Sequence, residues 1–118
     1  MTKQQKYNFR MSSKWKTFRL KLKKKFNSVD FITKQPLIKT WNLHHLDLRD
    51  KNYTCIKDTD RFLPLNEDTH QFVHWLYRIW CKDKGIITRL THVMTEMYEY
   101  THDDYKEEEQ NECKNTHS

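Results

Sequence analysis

Two pairs of histidines constrain this chain more tightly than any other feature. His44 and His45 are adjacent, whereas His70 and His74 stand four apart. Neighbouring residues in a strand point to opposite faces, while residues four apart in a helix lie about 40° from one another on one face. The flanking sequence fits one pair to each element. Thr40–Leu48 reads as a strand, with Trp41, Leu43 and His45 on one face and Asn42, His44 and Leu46 on the other. Glu67–Lys82 reads as a helix with Phe72, Val73, Leu76, Ile79 and Trp80 on its apolar side. Val73, Leu76 and Trp80 centre away from His70 and His74, so the two histidines leave the hydrophobic stripe. Asn66 has the chemistry of an N-cap, and Glu67 and Asp68 suit the positive end of a helix. Between these elements Asp47–Asp60 is a polar loop that Tyr53 and Ile56 can anchor. Arg61–Leu65 is a second short strand, which Pro64 assigns to an edge.

Ser12 or Ser13 can cap a helix from Lys14 to Phe26, on which Trp15, Phe18, Leu22 and Phe26 form one stripe among lysines. Val29–Ile38 is a short connection with room for a strand or hairpin. Past Gly85, the only glycine, Ile86, Ile87, Leu90, Val93, Met94 and Met97 recur at helical spacing. Met1–Met11 shows no periodicity and is expected to be a flexible basic arm. The fold class is α+β: one domain over residues 12–100 with its core at about 40–82, and a frayed acidic tail over 101–118.

Charge is uneven. Residues 1–40 carry twelve Lys and Arg against one acid, Asp30, while six acids follow residue 100. A basic front half points to a polyanionic partner, although a run such as Lys21–Lys25 can equally be a solvated helix face. Cys55, Cys81 and Cys113 are odd in number and far apart, which argues against a disulfide framework or a cysteine zinc knuckle and suits a reducing cytoplasm. No long apolar run is present, so neither a signal peptide nor a membrane span is expected.

An i,i+4 histidine pair offers two nitrogens to one ion, and neutral imidazole is the commonest metal ligand. The same pair alone is more often an ordinary half-buried surface feature. Adjacent strand residues diverge, so one of His44 and His45 can bind metal while the other acts on nearby water. His92, His102 and His117 fall outside the groups and receive no role.

The order of WNLHHLD (41–47) and DRFLPLNEDTHQFVH (60–74) resembles the HNH endonuclease family: a strand with His-His, a loop, a second strand, then a helix with His-x3-His. SSKWKTFRLKLKKKF (12–26) is similar to the basic, tryptophan-containing helix that often precedes the motif. The resemblance spans residues 12–80 and looks strongest to the compact HNH proteins of phages. It implies a ββα-metal (His-Me finger) fold, in which a β-hairpin packs on a helix around one divalent ion. Carried over by position, His44 matches the first metal ligand, His45 the general base, and His70 the helix ligand. His74 matches a second helix histidine, a ligand in some members and a supporting residue in others. The family's middle Asn falls on Arg61, which can brace carbonyls or contact a phosphate but has no acceptor; neighbouring Asp60 could supply one. Paired structural cysteines are also missing, and Phe31, Ile32, Leu37 and Ile38 are expected to fill their place by packing.

The activity this implies is hydrolysis of a phosphodiester to 5′-phosphate and 3′-hydroxyl ends, with DNA favoured over RNA as substrate. Lys14, Lys16, Arg19, Lys21, Lys23, Lys24 and Lys25 would neutralise phosphates. The ion would be Mg²⁺ or Mn²⁺, with Zn²⁺ and Ni²⁺ as alternatives that imidazole suits. Trp41 and Trp75 are expected to pack in the core beside the site. A monomer and a homodimer are both compatible with the sequence. So are two other functions: a non-catalytic nucleic-acid-binding or host-modulating protein, and a closed zinc module held by all four histidines.

Overall fold

The computed structural model describes residues 1–56 and 59–102. Its elements are α1 (Lys3–Arg10), α2 (Ser13–Lys25), β1 (Trp41–His45), β2 (Phe62–Asn66), α3 (Glu67–Lys82) and α4 (Ile86–His102). The chain is α+β, with one antiparallel hairpin packed against helices. It divides into two compact units, Met1–Trp75 and Leu76–Ser118. Cys113 and the acidic run after His102 lie outside the described residues.

The first eleven residues differ from the expected arm, because α1 occupies most of them. Thr2 and Gln5 form a reciprocal capping box: the Thr2 hydroxyl accepts from the Gln5 N–H at 3.0 Å, and Gln5 Oε1 accepts from the Thr2 N–H at 2.8 Å. Phe9 then packs on Trp15 with ring centroids 5.4 Å apart. A capped end and one aromatic anchor are what a hydrophobic-periodicity search overlooks in so short a helix.

In α2 the Ser12 hydroxyl accepts from the Trp15 N–H at 3.2 Å, and Lys23–Lys25 sit favourably at the negative end. Its stripe of Trp15, Phe18 and Leu22 is buried with Trp41, Leu43, Ile56 and Phe62, forming the core. The hairpin register pairs Trp41 with Asn66, Leu43 with Pro64 and His45 with Phe62. Those residues share the face toward α2: Phe18 meets Phe62 at 5.0 Å, and Trp15 stacks on His45. The opposite face carries His44 beside Leu63, and His44 lies against His70 and His74 of α3. Strand alternation therefore delivers the two adjacent histidines to different helices.

The connection at 29–38 is a loop closed by a single bridge between Val29 and Pro36. Leu37 packs against the core and Phe31 meets Phe26 with ring centroids 5.8 Å apart, but Ile32 and Ile38 are exposed, so the expected packing is carried by two residues of four. The loop is organised instead by Asp30, which is fully buried. Its Oδ1 accepts from the Ile32 and Thr33 N–H groups at 2.8 and 2.9 Å, and its Oδ2 accepts from the Asn66 N–H at 2.8 Å. The Thr69 hydroxyl adds a further bond. Asp30 thus stitches a distant loop to the start of α3. Asn66, expected to cap that helix, uses its side chain on the loop: Oδ1 accepts from the Ile38 N–H and Nδ2 donates to the Pro36 carbonyl.

Burial alone would raise the Asp30 carboxyl, but the bonds from Thr33, Asn66, Thr69 and Ile32 outweigh it and hold the group below its ordinary range. Asp30→Ala leaves several inward donors unpaired and should lower unfolding stability by about 3 kcal/mol. With a depressed folded-state pKa, this stabilisation is present above the unfolded value of about 3.9 and is lost as pH falls through the folded one. Urea titrations of wild type and variant at neutral and acid pH measure it; equal acid sensitivity in both would refute the assignment.

Among the described residues no helix is long and apolar enough to cross a membrane. Cys55 and Cys81 are free and exposed.

Candidate metal centre and basic cleft

His44, His70 and His74 are positioned to bind one metal ion. Each offers a ring nitrogen, and the three nitrogens lie within 4.8 Å of one another. The Nε2 atoms of His70 and His74 are 3.0 Å apart. Two imidazoles on one ion at about 2.1 Å each place their nitrogens about 3.0–3.4 Å apart, so the helix pair is already at ligand spacing. The rings meet edge to face, with centroids 4.6–5.2 Å apart.

Electrostatics favours the ligand form. Burial, then the neighbouring His70, His74 and His45, push the His44 pKa down to about 4. Burial and then His74 lower His70 as well. Both rings are neutral at pH 7 with lone pairs to give. His44 is 8% exposed, and its Nδ1 is a buried atom with no hydrogen-bond partner. A buried polar atom without a partner is costly in a closed protein and natural at a site that takes a ligand. The group fits an ion by donor type, spacing and protonation state.

His45 sits on the other face of β1, between two aromatic rings. It stacks on Tyr53 at 4.8 Å and 14° and on Trp15 at 5.9 Å and 9°. Its ring is bonded to the Tyr53 backbone, while Nε2 is a buried atom with no partner. The bonded atom is therefore Nδ1, donating to a carbonyl, and the Nε2 lone pair is uncommitted. Burial is the main influence on the His45 pKa and lowers it; the Tyr53 bond raises it, and His70, Lys6 and Arg10 lower it further. This is a neutral, oriented imidazole.

A cleft of about 290 Å³ is lined by His45, His70 and His74 together with Lys6, Arg10 and Arg19, and by Asp47 and Asp50. Lys6 pairs with Asp50 at 3.1 Å. Arg10 donates to the Tyr53 hydroxyl at 3.3 Å, and Arg19 to the Trp41 carbonyl at 2.7 Å with its guanidinium 3.7 Å above the Trp41 ring. Both arginines are held by neutral acceptors and keep their charge beside His45.

Of the basic residues singled out from the sequence, Arg19 lines the cleft. Lys14, Lys16, Lys21, Lys24 and Lys25 are exposed on α2, and Lys23 is half-buried there. Lys6 and Arg10 line the cleft as well: no apolar periodicity marks α1, and the Thr2-x-x-Gln5 capping pattern is the sequence signal that does. Arg61 does not line the cleft. It lies at the base of the loop, 3.6 Å from Asp47, and its carbonyl accepts from the Leu46 N–H. Asp60 bonds Lys25. Asp47 is the acid that organises this loop, accepting from Arg49 and from the Asn52 amide at 2.7 Å. The Arg49 side-chain bond, then Asn52, hold its carboxyl far below the ordinary range. Trp41 is buried as expected, whereas Trp75 is 43% exposed.

No protein-family model, curated protein or solved structure matches this chain.

Proposed function

We propose that this chain is a metal-dependent endonuclease of the HNH type, with a ββα-metal site that hydrolyses DNA phosphodiester bonds. The observation that carries this reading is a three-histidine ion site, two of whose members, His70 and His74, line one cleft with a separate neutral histidine, His45, and with Lys6, Arg10 and Arg19. The order of the elements and the opposite facing of His44 and His45 on β1 are consistent with the resemblance read from the sequence.

His44, His70 and His74 would hold the ion. Once bound, a divalent ion there supplies Lewis-acid polarisation of the phosphate and stabilises charge on the leaving 3′ oxygen. His45 takes the proton from the attacking water at Nε2, its ring held by Trp15, Tyr53 and the Nδ1 bond. Arg10 and Arg19 neutralise the phosphate as it enters, and the lysines of α2 engage flanking phosphates. Three protein ligands among the described residues leave room on the ion for substrate and water, which favours a catalytic site over a closed structural one. The all-imidazole donor set favours Mn²⁺, Ni²⁺ or Zn²⁺ over Mg²⁺. Arg61 then serves the geometry of the loop through Asp47.

The test is relaxation of supercoiled plasmid by the purified chain across Mg²⁺, Mn²⁺, Ni²⁺ and Zn²⁺. Nicking that needs an ion, stops with chelator and leaves ligatable 5′-phosphate ends is the expected outcome. Salt-sensitive DNA binding with no cleavage under any ion would replace this reading with a non-catalytic DNA-binding one.

A further inference from the structure

The pattern on α4 points to self-association: we infer that a second copy of this chain docks on it antiparallel. The helix runs seventeen residues with none buried. Yet Ile86, Leu90, Val93 and Met97 recur at spacings of four, three and four, which is the seam of a coiled coil. Val93 is 48% exposed and Met97 58%. Beside the seam Ile87 and Met94 are exposed too, at 44% and 56%. A helix of this length is about 25 Å long, enough for four apolar layers.

Charge decides what covers it. Arg89 and Glu96 stand seven residues apart and occupy the same heptad position, one step before Leu90 and Met97. In an antiparallel pair, Leu90 faces the partner's Val93 and Ile86 faces the partner's Met97. That register sets Arg89 opposite the partner's Glu96, and twofold symmetry makes the contact twice. On the other flank Ile87 meets the partner's Met94, widening the apolar strip. A parallel pair would place Arg89 beside the partner's Met94 and gain no ion pair. The charge pattern of α4 is thus complementary to its own reversed copy. Within one chain Arg89 bonds Asp83, and Glu96 pairs with His92 at 3.2 Å. All four side chains are more than half exposed, and such pairs exchange partners at little cost.

The inference does not depend on the nuclease reading. Sedimentation equilibrium of the full chain, from micromolar to millimolar concentration, should show a reversible monomer–dimer equilibrium. R89E and E96R each turn two attractive contacts into two repulsive ones and should weaken the dimer about tenfold. The double variant R89E/E96R should restore it. An equimolar mixture of the two single variants should associate more tightly than either alone. Circular dichroism verifies that helicity is unchanged in each. A wild-type chain that stays monomeric throughout overturns the inference. So does a dimer indifferent to the single swaps, or a double variant as weak as its parents.

Discussion

Replacing His45 by alanine should reduce ion-dependent plasmid nicking by about 10²–10⁴-fold, the usual contribution of a positioned general base, while metal affinity is retained. The split follows from the strand. His45 faces α2 and is gripped by Trp15 and Tyr53, whereas the ion ligands gather on the α3 side. Its removal opens a gap between two aromatic rings, so activity should be compared well below the unfolding temperature of the variant. The wild-type pH profile gives a second readout. Burial holds the His45 pKa below its ordinary 6.5, and a bound cation nearby lowers it further. A base must be unprotonated, so activity is lost as pH falls through that pKa, and the acid limb of kcat/KM should have its midpoint below pH 6.5. Full activity in His45→Ala, or an acid limb above that value, would remove His45 from the role.

Loss of any one of His44, His70 and His74 should weaken Zn²⁺ or Ni²⁺ binding by more than about 100-fold, exceeding what loss of a supporting residue costs. Calorimetry on the three alanine variants measures this directly. His74 is the informative member. The sequence left it between ligand and support, and the 3.0 Å approach of its Nε2 to that of His70 groups it with the ligands. A His74→Ala chain that binds the ion normally would return it to a supporting role. With the His44 pKa near 4, the ion need not displace a proton from this ring at neutral pH. Affinity should fall on acidification as the ligand rings take up protons, and the His44 ring adds to that loss only near its own low pKa.

What could be read from the sequence was whatever repeats along the chain. The α2 stripe, the two strands and α3 declare themselves through period; the structure places α2, β2 and α3 within one residue of the expected bounds, while β1 ends at His45, three residues short of Leu48. The four histidines were legible for the same reason, because spacing fixes which face a side chain takes. What stayed hidden depends on contacts between distant residues. Nothing local to Asp30 announces that it will meet Asn66 and Thr69 in the fold. The N-cap chemistry of Asn66 was real, but the loop claimed its amide first. Arg10 enters the cleft only because α1 forms, and α1 is held by a capping box and by the contacts of Phe9 with Trp15 and Tyr53 rather than by a stripe. Apolar periodicity also misled where it had no local partner. The aromatic face of α3 looked like core, yet Phe72, Trp75, Tyr77 and Trp80 are exposed and α3 contains no buried residue.

The division of labour between His44 and His45 rests on a parity, and parity can be inverted without changing any side chain. Suppose one residue were inserted between Leu43 and His44 while Trp41 and Leu43 kept their places in the core. Each histidine would then turn to the opposite face, so the former base would look toward α3 and the former ligand toward Tyr53. The α2 face would keep an imidazole at the same step, while the imidazole on the α3 face would move two steps, about 6.6 Å, along the strand. With an uncharged residue, such an insertion preserves charge and the inventory of titratable groups while shifting their positions. It separates what this site owes to having histidines from what it owes to where the pleat puts them. Register along β1 therefore constrains this site alongside the identity of its histidines.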